Sequence, residues 1–297
     1  MTAVLEVLNL TKRFNGKAAV ENLSFTLAGQ TATALIGPNG SGKTTTMSML
    51  AGLLRQTAGT VSFGKAEGDP RANIGFLPQY PSFFPWMNAL EYLEMAAGLS
   101  GLPARGLRLE CEKALGFVGL SGSAGKRVGG FSGGMKQRLG LAQAIIHRPS
   151  LLLLDEPVSA LDPAGRREVM DMLKELGERS TILYSTHILN DAEEMTDQLL
   201  FLREGKLVEQ GALEDIREKY GGDGYRLEFT DRGSAQRFAA SCPWPAAIEG
   251  TVVRVGASAA SLESVLGFAA GHADGVRTVG RDTVRLEEIF MKVVGRP

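Results

Sequence analysis

Cysteine is nearly absent: the 297 residues hold two, Cys111 and Cys242. Two cysteines so far apart give neither a disulfide framework nor a metal-ligand spacing, which suits a reducing cytoplasm. No apolar run approaches the roughly 20 residues that cross a bilayer. Any action at a membrane is therefore expected to go through a partner. The opening stretch carries no basic segment and meets Glu6 early, so no signal peptide is expected. Neither sign of charge dominates, with 32 Lys and Arg against 33 Asp and Glu. A nucleic-acid binder that works by bulk charge needs a basic excess, and none exists here. Internal repeats and low-complexity tracts are also missing.

What the sequence does contain is the material of a globular protein. Hydrophobic residues make up 44% and charged residues 22%, close to the usual values, and the length suits about two domains. The 37 glycines follow no collagen-like period, so they point to tight turns and close backbone approaches. Residues 4–10, 24–27 and 31–36 read as strands with turn signals between them. A Gly-rich loop and a helix from Lys43 to about Leu54 follow the third strand. After short strands over 58–78, Pro81 and Pro85 open a segment with helices over 88–98 and 108–117, a small helical insert.

Ser132 is a good helix N-cap, and Met135, Leu139, Ala142 and Ile146 then share one helical face. Leu151 to Leu154 is an unbroken apolar run, the mark of a strand buried on both faces. Asp162-Pro163 starts a helix ended by Gly177, and 181–185 and 199–202 are further strands. This alternation predicts an α/β core with a mainly parallel sheet. A linker is expected at 221–224. Residues 225–297 then read as a small α+β domain, with weak strands at 225–229, 251–255 and 283–286.

Two motifs carry chemistry. Residues 37–44 read Gly-Pro-Asn-Gly-Ser-Gly-Lys-Thr, the G-x-x-x-x-G-K-[ST] phosphate loop. Its glycines let backbone N–H groups turn inward around a phosphate, and the following helix aims its positive end at the same place. Lys43 supplies charge to the terminal phosphates and Thr44 an oxygen for Mg2+. The candidate nucleotide contacts run through Gly37, Pro38, Asn39, Gly40, Ser41, Gly42, Lys43, Thr44 and Thr45. The second motif is Asp155-Glu156 at the end of the apolar strand. Ligands of open α/β sheets sit beyond the strands' carboxyl ends. Asp155 is thereby placed for Mg2+ and Glu156 to orient or deprotonate an attacking water.

Between the motifs stands Phe131-Ser132-Gly133-Gly134-Met135-Lys136-Gln137-Arg138. With it, residues 4–220 resemble an ATP-binding-cassette (ABC) ATPase subunit of a transporter. That resemblance implies a P-loop NTPase core with a parallel sheet, a small antiparallel β part and a helical insert over about 80–135. It makes residues 1–220 the nucleotide-binding domain and 225–297 a separate C-terminal domain. It implies that Phe14 stacks on adenine, a task suited to an aromatic face. Gln79 becomes the glutamine loop that touches Mg2+ and water, Asp162 the aspartate loop and His187 the switch histidine near the terminal phosphate. The signature segment departs from the family's commonest form, Leu-Ser-Gly-Gly-Gln, at Phe131 and Met135. Ser132, Gly133 and Gly134 keep the hydroxyl and the close backbone amides, and Met135 lacks the usual side-chain amide.

The resemblance also implies a mechanism with ATP and Mg2+ as ligands. Two chains meet head to tail, and each ATP lies between one chain's phosphate loop and the other's Ser132-Gly133-Gly134. A homodimer is the simplest form. The implied partner is a polytopic membrane permease that docks on the insert and holds the chain at the cytoplasmic face of the membrane; no nucleic acid is expected. Phe83, Phe84, Trp86 and Met87 at the start of the insert suit either an exposed groove or the insert's own core. The tail from Leu286 to Gly295 resembles the terminal motif of ATPases serving ABC-2-type exporters. An importer ATPase, or an ABC ATPase acting on nucleic acid or ribosomes, are the alternatives.

Overall fold

The computed structural model of the chain describes residues 3–64, 69–221, 224–256, 260–272, 275–282 and 284–295. The chain divides into two compact units, one built on residues up to Leu213 and one on Glu214–Lys292.

The first unit opens with β1 (Ala3–Phe14) and β2 (Lys17–Ala28), a hairpin closed by Asn15 and Gly16, both with positive φ. β3 (Ala32–Ile36) leads through the phosphate loop into α1 (Lys43–Leu50). That helix ends sooner than the expected Leu54, because the chain turns at Ala51 and Gly52 takes a φ of 71°. β4 (Ala58–Phe63) joins the hairpin as an antiparallel sheet in the order β2-β1-β4. β5 (Ile74–Leu77) precedes the insert, formed by α2 (Ala89–Leu99) and α3 (Leu107–Phe117). Asn88 and Glu91 cap α2 reciprocally, each side chain accepting from the other's backbone N–H.

α4 (Gly133–Ile145) starts at the Ser132 cap. Then come β6 (Leu151–Asp155), α5 (Pro163–Gly177), β7 (Thr181–Thr186), α6 (Leu189–Met195), β8 (Gln198–Arg203) and β9 (Lys206–Ala212). The main sheet runs β5-β6-β7-β3-β8-β9, parallel throughout except for β9. β6 and β7 are buried along their whole length. One hydrophobic cluster, including Leu5, Phe25, Met47, Leu153 and Leu200, fuses the two sheets around α1. The register sets Asp155 beside Ser185 and Ile36 beside Thr186, so the strands' carboxyl ends meet along one edge.

The second unit begins with α7 (Leu213–Tyr220), so the expected domain limits of 220 and 225 fall beyond a helix that groups mostly with the C-terminal unit. β10 (Gly224–Phe229), α8 (Arg232–Ser241), β11 (Ala246–Glu249), β12 (Val252–Gly256), α9 (Leu262–Ala270) and β13 (Val276–Arg281) follow, then α10 (Leu286–Val293). The antiparallel order β11-β12-β10-β13 with this βαββαβ succession is the ferredoxin-like arrangement. Leu227, Phe229, Val253 and Val255 pack against Phe238 and Val265 of the two helices.

The strand expected at 283–286 is corrected. Among the described residues the last strand is β13, and Leu286 begins a helix, the apolar Leu286 and Ile289 facing inward one turn apart. Thr283 itself, and Gly222 and Asp223 of the expected linker, lie outside the described residues.

Candidate active site

The phosphate loop joins a buried strand to a helix, and its conformation depends on glycine. Gly42 caps α1 at φ 104°, and a Cβ there would stand 2.7 Å from the Ala19 carbonyl of β2. No larger residue fits that approach. A glycine cap has no side chain to accept from the first turn of the helix. The amides of Gly40, Gly42, Lys43, Thr44 and Thr45 donate to no group among the described residues; the first helical amide bonded within the chain is Thr46 N–H, to Gly42 O at 2.9 Å. Amides converging without partners at a helix N-terminus are what a phosphate satisfies. The site therefore fits a nucleotide phosphate on backbone grounds.

Lys43 completes it. Its side chain is only 7% exposed, and its ammonium donates to the carbonyls of Gly37 at 2.7 Å and Pro38 at 3.2 Å. Burial pulls its pKa below the ordinary lysine value, while the charges of Glu156 and Asp155 oppose that shift. The nearest carboxylate oxygen, Glu156 Oε1, is 3.9 Å away, a loose pairing that leaves the ammonium free to meet a further anion.

β6 delivers the two acids. Asp155 is its last residue, and Glu156 follows at φ 50°, in the left-handed region that bulky residues avoid. His187 Nδ1 lies 2.7 Å from Glu156 Oε2. An ionised carboxylate only accepts, so Nδ1 carries the proton of that bond. One residue missed by sequence reasoning ties the acids together. Ser185 Oγ donates to Asp155 Oδ1 at 2.5 Å and accepts from Glu156 N–H at 2.9 Å, wholly buried. Its signal was present: a small hydroxyl directly after the apolar Ile182-Leu183-Tyr184, on a strand parallel to the acid-bearing one.

A cavity of about 350 Å³ is lined by Asn39, Gly40, Lys43, Thr44, Gln79 and Glu156, among others. The structure thus brings together the phosphate loop, Gln79 and the acid that His187 holds. It leaves other expected site residues elsewhere. Ser132, Gly133 and Gly134 are absent from the lining. Ser132 Oγ accepts from Met135 N–H at 3.2 Å as the cap of α4, and a Cβ at Gly134 would meet Leu161 at 2.9 Å. Asp162 accepts from Gly165 N–H at 2.8 Å, as the cap of α5. Phe14 lies at the tip of the β1–β2 hairpin, 48% exposed, with Lys12 Nζ 5.0 Å from its ring centre.

A family model for the ABC transporter matches residues 20–159. The uncharacterized ABC transporter ATP-binding protein YxlF of Bacillus subtilis (strain 168) is 49% identical over 216 residues, 73% of each chain. The chain belongs to the ABC transporter ATPase family. Linearmycin resistance ATP-binding protein LnrL of the same organism is 29% identical over 99% of each chain. Among solved structures, an ATP-binding cassette captured as a dimer in a post-hydrolysis state with ADP and Pi superposes with a TM-score of 0.64. It is 25% identical and covers 70% of this chain and 98% of its own. The chain is thus an ATP-binding ATPase subunit of an ABC transporter, and its α/β fold is the cassette fold in the first unit.

Proposed function

We propose that this ABC ATPase closes head to tail with a second copy around two MgATP and powers an exporter. One observation carries the dimer: the cavity of a single chain holds the phosphate loop, Gln79 and Glu156 but none of Ser132-Gly133-Gly134. That segment presents an exposed hydroxyl and a helix N-terminus with no acid in its first turn, a surface suited to another chain's phosphate. The relative solved as a dimer with ADP and Pi supports the same assembly. Export is supported by the resistance named for LnrL, which aligns over the whole chain, and by the tail at 286–295.

Within each site the chain's residues divide the work. The loop amides and Lys43 bind the phosphates, and Phe14 offers its exposed face to the base. Thr44, Gln79 and Asp155 would hold Mg2+, which supplies charge neutralisation at the phosphates. Glu156 accepts the proton of the attacking water. His187 fixes one oxygen of that carboxylate, and Ser185 fixes the adjacent backbone and Asp155.

The insert offers the surface for a membrane permease. Phe83 packs edge-on against the buried Tyr92 at 4.9 Å, while Tyr80, Phe84 and Trp86 are exposed, Trp86 to 68%. The aromatic segment therefore divides between core and surface. No helix among the described residues is long and apolar enough to cross a membrane, so the proposed place at the cytoplasmic face rests on that partner.

The test is Glu156→Gln, trapped with MgATP in its native cells and purified with whatever accompanies it. ATP binding is expected to persist while turnover drops about 100-fold or more. Mass spectrometry is expected to find a polytopic membrane protein. Ribosomal or DNA-bound partners without one would overturn the transporter reading, and normal turnover would overturn the role of Glu156.

A further inference from the structure

A cavity in the first unit lies at the opposite end of the main sheet from the phosphates. It encloses about 650 Å³ where the insert meets the core, next to the starts of β6 and β7. Its floor is apolar, built from Ala114 and Phe117 of α3, Ile145 and Ile146 at the end of α4, and Pro149 and Leu176. Its mouth is charged. Lys113 Nζ and Arg148 Nη2 both reach the carboxylate of Glu110, each at 2.7 Å. Those two hydrogen bonds hold the Glu110 carboxyl below the usual carboxylate range, so it remains ionised, bonds both cations and balances the charge of one. Arg179, also at the mouth, pairs with Glu175 at 2.7 Å. Three cations thus face two carboxylates above an apolar floor.

We propose that this cavity binds the anion of a single-chain amphiphile, a fatty-acid carboxylate with its chain on the apolar floor and its headgroup among Lys113, Arg148 and Arg179. The volume lies within the range of ordinary ligand pockets, roughly 300–1,000 Å³. A small inorganic anion would leave the floor uncovered. An uncharged hydrocarbon would leave the net positive charge of the mouth, three cations against two carboxylates, unbalanced. An occupant touches α3 on one side and Pro149 and Leu176 of the core on the other, so it bridges the insert and the sheet. α4 also connects the cavity to Ser132, about 20 Å away along its axis.

The test is calorimetric titration of the full chain with dodecanoate below its micelle concentration. Acetate supplies the charge alone and dodecan-1-ol the chain alone. One saturable site is expected, with a Kd on the order of 10 µM and at least tenfold weaker binding of both controls. The double variant Arg148→Glu with Arg179→Glu, both exposed side chains, is expected to weaken dodecanoate at least tenfold while MgATP binding and circular dichroism stay unchanged. Ile145→Trp, which narrows the floor, is expected to weaken it similarly. Absence of saturation, equal binding of dodecan-1-ol, or unchanged affinity in both variants would overturn the proposal.

Discussion

The six-stranded sheet of the first unit and the four-stranded sheet of the second handle charge in opposite ways. At the carboxyl edge of the six-stranded sheet, Lys43, Asp155 and Glu156 are all buried. In the four-stranded sheet of the second unit, the charged side chains stay on or near the surface, and two arginines pair with carboxylates around them. Arg254 meets Glu249 at 2.6 Å, Asp282 at 3.2 Å and Glu288 at 3.6 Å, and Arg226 meets Glu228 at 3.6 Å. Burying a charge costs several kcal/mol unless it is well paired. The first sheet carries that cost and still leaves Lys43 3.9 Å from its nearest carboxylate. Among the described residues, the second sheet buries no charged side chain. That contrast separates a site from a scaffold more sharply than hydrophobicity does, since both sheets have dense apolar cores.

Substitutions at the buried cluster sharpen the contrast, and the largest effect is expected at Lys43. Lys43→Ala removes the buried ammonium that the loop carbonyls of Gly37 and Pro38 hold in place. A charge-assisted contact is worth about 3 kcal/mol, so MgATP affinity measured by calorimetry is expected to fall at least about 100-fold. Ser185→Ala should do less. It strands the Glu156 amide and an Asp155 oxygen without displacing either acid from its strand. Turnover is expected to fall about tenfold, with MgATP affinity changed much less, since the loss acts through positioning at about 1–2 kcal/mol. Ser185→Thr keeps the hydroxyl and should restore most of the rate. Equal rates in Ser185→Ala and the unaltered chain would show that the strand alone positions the acids.

Much of this was legible in the sequence because buried parallel strands are written as continuous apolar runs. Leu151 to Leu154 announces β6, and the acids that follow must then stand at the sheet's carboxyl edge. The phosphate loop is legible for a similar reason, since few residue types permit its backbone. Ser185 was not singled out, because one hydroxyl at the end of a strand is ordinary until the register sets it beside Asp155. β9 was also missed. As an edge strand it alternates exposed and half-buried residues, and Gly211 interrupts it. In the second unit the signal is weakest. β11 and β13 are short and largely exposed, so β13 was expected several residues too late, where the apolar spacing belongs to α10.

The smallest predicted effect tests the other half of the contrast. If the second unit is a scaffold whose charges are locally satisfied, then Arg254 acts only on that unit's stability. Its guanidinium stands among three carboxylates from β11, α10 and the chain after β13, and its side chain is 30% exposed. Solvent screens such pairs, so each contributes at most about 1 kcal/mol. Arg254→Met keeps most of the packing and leaves the three carboxylates facing one another. The expected loss is about 1 kcal/mol, a fall of roughly 4–8 °C in the unfolding of a domain of this size. MgATP affinity is expected to stay within about twofold, a difference near 0.4 kcal/mol. A tenfold change in that affinity would mean that Arg254 is coupled to the nucleotide site, and the division between site and scaffold would fail at that residue.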